Sequence, residues 1–331
     1  MSTKENILEL FEKNRGTYFS GEYIAQKLSV SRAAVWKAVK ALRRDGYAID
    51  AVPNKGYSLA CSTDILSPQG IQKYLNVDTP KIDINVIPTT NSTNTEVREK
   101  INTGISEGYL VIANEQISGR GRLGRYFFSP KDTGIYMSLL LRPNFCSGEQ
   151  ATQITTIAAV AVCEAIESVS KEKASIKWVN DIFVRNKKVC GILTEGSFNL
   201  ESGQLDYAIL GIGINVYTPK DGFPDDLKQI AGSVLTSNQN DVKNRLVSEI
   251  LNRFFFYYKG VQNDSSNYVE EYRKRCFVIG REVSLISSDK PKTATIIDID
   301  DQCRLKVRYK DGTEEYFSSG EISIRMQTKK S

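Results

Sequence analysis

Gly119-Arg120-Gly121-Arg122-Leu123-Gly124-Arg125 interleaves three arginines with three glycines, a composition that suits either a flexible anion cradle or a solvated loop. Read literally it satisfies G-x-G-x-x-G, and it nearly satisfies G-x-x-x-x-G-K-[ST], with Arg125 and Tyr126 in the last two places. Both motifs need a helix directly after the final glycine, so that its amides and dipole face the phosphates. Here the chain continues Tyr126-Phe127-Phe128-Ser129-Pro130, turns through Asp132 and Gly134, and runs as a strand from Ile135 to Leu141. Asn144, about twenty residues past the last glycine, is not the acidic ribose-binding residue of a dinucleotide fold. Both nucleotide motifs are therefore rejected. What remains is a strand, Tyr109 to Ala113, entering a loop whose guanidinium groups supply the charge; their planar forks match carboxylates and phosphates.

Histidine is absent from all 331 residues. That removes Ser-His-Asp and Cys-His nucleophiles, histidine metal sites and any imidazole base. Chemistry must rest on arginine, lysine, carboxylate and groups brought by the substrate. Adenylation fits, because the nucleophile is the substrate's own carboxylate and the protein aligns it and neutralises phosphate charge. The six cysteines, Cys61, Cys146, Cys163, Cys190, Cys276 and Cys303, are widely spaced without C-x-x-C, which predicts reduced thiols in a cytoplasm. Met1-Ser2-Thr3-Lys4-Glu5-Asn6 has mixed charge and no apolar signal core. The most apolar stretch, Ile154 to Val162, is shorter than the roughly twenty residues that span a bilayer. With 40% hydrophobic and 25% charged residues, a chain of this length reads as a soluble protein of two or three domains.

The first sixty residues form their own unit. Ile7, Leu8, Leu10 and Phe11 give one amphipathic helix, and Ile24 with Leu28 a second after Ser20-Gly21. Ser31 is placed to cap a third, whose buried face is Val35, Ala38, Val39 and Leu42 and whose exposed face carries Arg32, Lys37, Lys40, Arg43 and Arg44. Tyr47 to Val52, the turn Pro53-Asn54-Lys55-Gly56 and Tyr57 to Leu59 form a two-stranded wing. Residues 1–60 hold ten Lys/Arg against six Asp/Glu, +4 of the chain's +5, so DNA is the expected partner. A helix seated in the major groove would turn Ser31, Arg32, Ala33, Trp36 and Lys37 towards the bases and Lys40 towards phosphate. Trp36 suits packing against the wing equally well.

A short polar linker, Cys61-Ser62-Thr63-Asp64, precedes a stretch in which strand runs alternate with helices such as Ala151 to Val169 and Arg245 to Tyr258, a mixed α/β pattern. From Phe277 to Arg325 alternating strand signal around the Asp311-Gly312 turn predicts a small β-barrel. The expected division is 1–62, 63–275 and 276–331.

Asn91-Ser92-Thr93-Asn94, Glu115-Gln116, the arginine loop, Lys177-Trp178-Val179-Asn180-Asp181, Lys187-Lys188-Val189-Cys190-Gly191-Ile192-Leu193-Thr194-Glu195 and Gly211-Ile212-Gly213-Ile214-Asn215 occur in the order and approximate spacing of the biotin protein ligases. The chain resembles that family over essentially its whole length, and specifically its bifunctional ligase/repressors. Val179 stands where the family usually has proline, and Phe127 where it often has tryptophan. The resemblance implies an α+β multidomain protein: an N-terminal winged helix-turn-helix, a central mixed α/β domain like class II aminoacyl-tRNA synthetases with a seven-stranded sheet, and a C-terminal SH3-like β-barrel. It implies biotin and ATP as substrates with Mg2+, a biotin carboxyl carrier protein lysine as acceptor, operator DNA as a partner, and a ligand-promoted homodimer.

Residue by residue, Ser92, Thr93, Asn94 and Gln116 would surround the biotin head, the first three serving equally well as a helix N-cap. Arg120, Gly121 and Arg122 would cradle the biotin carboxylate and the α-phosphate, with Arg125 a further phosphate contact. Lys188 would bridge carboxylate and phosphate, while Lys187 reads as a solvated lysine. Asp181 and Asn180 would orient the incoming amine, help hold magnesium or simply cap a turn. Asn215 would lie near adenine, and Pro219 to Pro224 would close over the adenylate. Gly191, Gly211 and Gly213 mark places where backbone meets ligand closely. A lipoate ligase would bring a histidine and no winged helix; a sensor without catalysis would need neither the arginine loop nor Lys188.

Overall fold

Serines open each of the first three helices. Ser2, Ser20 and Ser31 accept from the amides of Glu5, Tyr23 and Ala34, starting α1 (Thr3–Lys13), α2 (Gly21–Lys27) and α3 (Arg32–Arg44). The computed structural model describes residues 2–143, 151–199, 201, 203–262, 266–286, 292–318 and 321–324; Cys146 and Asn144 lie outside them. It divides into two compact units, residues 1–78 with 237–249, and 79–236 with 250–331.

In the first unit, α1 to α3 bury Ile7, Phe11, Ile24, Val35, Val39 and Leu42 against the wing, formed by the antiparallel pair β1 (Ile49–Val52) and β2 (Gly56–Leu59). Gly56 has φ +100°, and a Cβ there would fall 2.0 Å from the Phe19 carbonyl oxygen, so the wing turn admits only glycine. A short helix, α4 (Pro68–Gln72), follows.

Beneath α1 sits a buried tetrad of charges. Glu12 accepts from Arg15 and, at 2.7 Å, from Lys73; Asp241 accepts from Arg15 at 2.7 Å and pairs with Lys73 at 2.6 Å. Their side chains are between 0% and 11% exposed. Two cations and two carboxylates are mutually neutralised, the condition under which charges persist in an interior. This explains why residues 63–78 and 237–249 group with the N-terminal helices, where sequence placed a boundary at 62. Lys73 and Asp241 are far from Glu12 in sequence, and nothing local marks them as partners.

The second unit is built on a seven-stranded sheet. Its elements are β3 (Asp83–Ile87), α5 (Thr93–Ile101), β4 (Tyr109–Ala113), β5 (Gly134–Leu141), α6 (Ala151–Ser170), β6 (Ala174–Lys177), β7 (Asp181–Val184), β8 (Lys187–Phe198) and β9 (Leu205–Asn215). The strand order is β3-β4-β5-β9-β8-β7-β6, with β3 and β4 parallel and every other pair antiparallel. Strand β5 is buried along all eight residues, which is why it reads as an apolar run, broken only by Ser138, rather than an alternating one. Strands β6 and β7 form a hairpin, and β7 joins β8 through a bulge between Ile182 and Phe183.

Helix α6 is long and apolar enough, over Thr152–Ser170, to cross a membrane, longer than the run sequence singled out. Most of that window is buried within the fold, with Ile157, Ala158, Ala161, Val162, Ala165 and Ile166 fully covered, so it is a core helix. Helix α7 (Val242–Gln262) and α8 (Tyr268–Arg275) complete the helices. Five strands follow, β10 (Glu282–Ile286), β11 (Lys292–Ile299), β12 (Leu305–Arg308), β13 (Glu314–Phe317) and β14 (Glu321–Ile324), in the antiparallel order β13-β12-β11-β10-β14. They belong to the same compact unit as the central sheet. Trp178 Nε1 donates to the Cys303 carbonyl at 3.0 Å, and Tyr272 Oη to that of Val179 at 3.1 Å. The Trp178–Val179 peptide bond is cis.

Cys163, Cys190, Cys276 and Cys303 are buried and unpaired, and Cys61 is exposed. Burial pushes the Cys276 thiol up to about 12 and that of Cys303 to about 11, so both stay protonated and inert.

Replacing Glu12 by alanine strands two buried cations on Asp241 alone. Urea unfolding should show a loss of about 3–5 kcal/mol, and Glu12→Gln, which retains an acceptor, should lose less.

Candidate functional site

A cavity of about 330 Å³ opens against β5, β8 and β9. Ser92, Thr93, Asn94, Gln116, Arg120, Gly121, Arg122, Arg125, Asn180, Asp181, Lys188 and Asn215, drawn from six separate stretches of sequence, all line it. Two chemically different sets of groups meet there.

One set is neutral and locked. Ser92 occupies the N-cap position of α5 but its side chain makes no capping bond, so this helix start does not consume it. Thr93 N donates to Gln116 Oε1 at 2.9 Å, which turns Gln116 Nε2 towards Ser129 Oγ at 3.0 Å. Asn94 Nδ2 donates to Glu195 Oε2 at 2.6 Å, and Ser138 Oγ donates to Asn94 Oδ1 at 2.6 Å. Ser138 and Ser129 were given no role from sequence, and Glu195 entered only as the last residue of the Lys187 to Glu195 segment. Ser138 carried a signal, a hydroxyl inside the otherwise apolar run from Ile135 to Leu141; Glu195 lay in a segment of the family pattern, but nothing in that segment shows that it stands beside Asn94.

The other set is cationic. Arg120, Arg122, Arg125, Lys177 and Lys188 line the cavity against a single carboxylate, Asp181. Lys188 Nζ pairs with Asp181 Oδ1 at 2.6 Å. Arg122 Nη1 reaches Asn180 Oδ1 at 3.4 Å, and Asn180 Nδ2 donates to the Ile192 carbonyl at 2.8 Å. Asn180 is thus a turn anchor as well as a lining group. Such an excess of positive charge selects an anionic ligand.

The arginine loop is a small hairpin. Phe127 N donates to Gly119 O at 2.9 Å and Gly121 N to Arg125 O at 2.7 Å. A single 3₁₀ turn at Arg122–Gly124 closes it, with Leu123 at φ 55° and Gly124 at φ 74°. No α-helix follows, as the rejected nucleotide motifs would have required. Phe127 folds back from the loop onto the sheet. A Cβ at Gly213 would lie 2.6 Å from its ring and one at Gly191 3.3 Å from it, while a Cβ at Gly211 would lie 2.4 Å from Asn94 Oδ1. The close approach these glycines permit is therefore made by the protein's own side chains, where sequence had assigned it to a ligand.

Phe223, Leu227, Ile230 and Ala231 supply an apolar wall. Their segment is stitched to the sheet: Lys188 N donates to Ile230 O at 2.8 Å, Gly232 N to Lys188 O at 2.9 Å, and Asn215 Nδ2 to Gly232 O at 3.1 Å. Lys187, expected to be solvated, instead donates to the carbonyls of Lys228 and Gln229 at 3.1 and 2.6 Å. It tethers this wall.

On the first unit, α3 buries Val35, Ala38, Val39 and Leu42, the face expected, and exposes Arg32, Ala33, Trp36, Lys37 and Lys40. Trp36 is 54% exposed with Lys40 Nζ 5.1 Å above its ring, so it does not pack into the wing. Ser31 is occupied by its capping bond. Arg43 is exposed as expected, and its Nε and Nη2 also donate to the Ile49 carbonyl at 2.9 and 2.6 Å, tying α3 to the wing.

Fold and site together define a winged-helix protein whose catalytic part holds an anionic small ligand. Residues 86–215 match the Biotin/lipoate A/B protein ligase family, residues 3–58 an HTH domain and residues 278–325 the Biotin protein ligase C terminal domain. The bifunctional ligase/repressor BirA of Bacillus spizizenii is 39% identical over 231 residues, 70% of each chain; that of Escherichia coli is 27% identical over 326 residues, 95% of each. A biotin protein ligase from Aquifex aeolicus, solved in complex with biotin and ATP, superposes with a TM-score of 0.62 at 26% identity, covering 73% of this chain and 98% of that one. The chain belongs to the biotin protein ligases, in the bifunctional ligase/repressor branch.

Gly211→Ala drives a methyl into Asn94 Oδ1. Overpacking of this kind should lower stability by about 1–3 kcal/mol, read from the urea midpoint.

Proposed function

We propose that this chain joins biotin to ATP, forming biotinoyl-AMP, passes biotin to a lysine of a carrier protein, and represses transcription in response to biotin. The observation that carries the reading is the cavity's pairing of a rigid neutral array with a concentration of cations. With Asn94 Nδ2 committed to Glu195 and Gln116 Oε1 to Thr93, the array offers an acceptor on Asn94 Oδ1, a donor on Gln116 Nε2 and the hydroxyl of Ser92. That is the complement of a ureido group, which has N–H donors and one carbonyl acceptor.

Arginine and lysine then serve the other end. A biotin carboxylate oxygen attacks the α-phosphorus of ATP, a P–O bond breaks and pyrophosphate leaves with its electron pair. Arg120, Arg122, Arg125 and Lys188 offset the charge that accumulates on the phosphoryl oxygens; Lys188, held by Asp181, is aimed rather than free. In the second step the acceptor lysine amine attacks the anhydride carbonyl and AMP departs. Asp181 is the one carboxylate among the lining residues and is placed to orient that amine. Asn215 and the wall of Phe223, Leu227 and Ile230 suit the adenine ring.

Among the described residues no group of three carboxylate or cysteine side chains is arranged to hold a metal ion. Magnesium would arrive on the phosphates of ATP, its usual carrier, and supply further charge neutralisation there. On this reading the five C-terminal strands correspond to an SH3-like barrel and the central sheet to the class II synthetase kind, and the protein works in the cytoplasm. Adenylate favours a homodimer that sets two α3 helices on two half-sites of an operator, and by reciprocity the operator favours the liganded dimer.

Biotin-dependent exchange of pyrophosphate into ATP tests the catalytic half. Lys188→Ala should slow it by about 100-fold or more, whereas Lys187→Ala, which removes only a tether, should stay within about tenfold; equal effects would reverse the assignment of the two lysines.

Alanine at Arg32, Lys37 or Lys40 should weaken operator binding and flatten its salt dependence by about one unit of slope for each phosphate left without its cation. Sedimentation and operator binding with biotin plus ATP, with each alone and with neither, test the sensing half. Identical dimerisation and affinity in all four would leave a ligase that merely carries a DNA-binding domain.

A further inference from the structure

The direction of the hydrogen bonds along the neutral array is set from outside the cavity. Asn94 is only 5% exposed, and its Nδ2 faces two groups that can only accept, Glu195 Oε2 at 2.6 Å and the Leu193 carbonyl at 3.5 Å. Neither has a proton to give, so the amide is held in one of its two orientations. Asn94 Oδ1 is thereby turned to Ser138, whose hydroxyl donates to it across 2.6 Å. Ser138 is fully buried, and its hydroxyl also lies 2.7 Å from Thr93 Oγ1, which donates to Gln116 Oε1 at 3.1 Å. Thr93 in turn lies against Gln116 Oε1, which accepts from its amide. Gly211 lies directly beneath Asn94 Oδ1 and leaves it room to sit there.

Glu195 does not line the cavity. It stands on β8 with its second oxygen held by Arg98 of α5 at 2.9 Å. Both carboxylate oxygens are therefore engaged by donors, one inward and one outward. An ion pair as exposed as this contributes little to stability in itself. What it can do is dictate polarity, because a carboxylate is an obligate acceptor.

We propose that Glu195 is a positioning residue for the biotin pocket: by accepting from Asn94 Nδ2 it fixes Asn94 Oδ1 as an acceptor towards the ligand, and Arg98 keeps the carboxylate in place. The proposal rests on reading the cavity as the biotin site. If the Asn94 amide reversed, it would offer a donor where a ureido N–H has to be received, and two donors would face each other. The expected signature is a loss confined to biotin recognition, with ATP recognition and turnover preserved.

Steady-state pyrophosphate exchange on the full chain, with biotin and ATP varied separately, supplies the test. Glu195→Ala should raise the KM for biotin about 10- to 100-fold, the range for losing a hydrogen bond to a charged group, with kcat and the KM for ATP little changed. Glu195→Gln should be comparably impaired: Arg98, a pure donor, claims the one amide oxygen and leaves the amide NH2 facing Asn94. Adding Arg98→Ala frees that amide to turn round, so the double variant should recover most of the biotin affinity lost by Glu195→Gln. Arg98→Ala alone should stay within about fivefold of the parent. A role in folding alone would make the double variant worse than either single one. Should Glu195→Ala leave the KM for biotin unaltered, or Arg98→Ala fail to restore Glu195→Gln, the positioning role is overturned. Asn94→Ala and Gln116→Ala separate the two readings. If they raise the biotin KM while the Glu195 variants do not, only the positioning role fails; if they too leave it unaltered, the cavity is not the biotin site.

Discussion

Two side chains, Asn94 and Phe127, lie directly on the backbone of β9, and the site exists because β9 has no side chains where they land. Gly211 and Gly213 face one surface of the sheet at alternate positions, and Gly191 pairs with Gly213 on the neighbouring strand. Period-two geometry thus lays a bare strip across the middle of the sheet. Asn94 brings the start of α5 down on that strip, and Phe127 brings down the returning arm of the arginine loop. The neutral array and the cationic loop, from different stretches of sequence, are thereby held over the same strands.

Charge is handled in opposite ways in the two units. In the tetrad of Glu12, Arg15, Lys73 and Asp241, two positive and two negative groups are nearly sealed from water and satisfied within the fold. Around the cavity, five cations and one carboxylate line the wall, and that carboxylate pairs with Lys188. The first arrangement serves stability; the second leaves an electrostatic demand that an anionic ligand meets.

Elements governed by local rules were legible in the sequence. Serine caps, the 3.6-residue face of α3 and the Asn-Lys-Gly wing turn gave the winged helix nearly residue by residue. The full burial of β5 made its apolar run plain. Lys187 looks like a solvated cation in sequence, yet it donates to backbone carbonyls, as exposed Arg43 also does. A carbonyl as partner leaves no residue-type signal, since every residue has one.

By itself the sequence determined the class of chemistry and most of the groups that perform it. The absence of histidine excluded imidazole catalysis, the Arg/Gly loop without a following helix excluded the dinucleotide and P-loop modes, and the basic N-terminal helix pointed to DNA. Only the tertiary structure decided which way those groups face. Glu195 stands beside Asn94, Ser138 beside both Asn94 and Thr93, and Asp241 beside Arg15, across separations of 101, 44 and 226 residues. Hydrogen-bond polarity and charge neutralisation belong to pairs of groups, and tertiary packing, rather than anything written near either member, determines which groups become pairs.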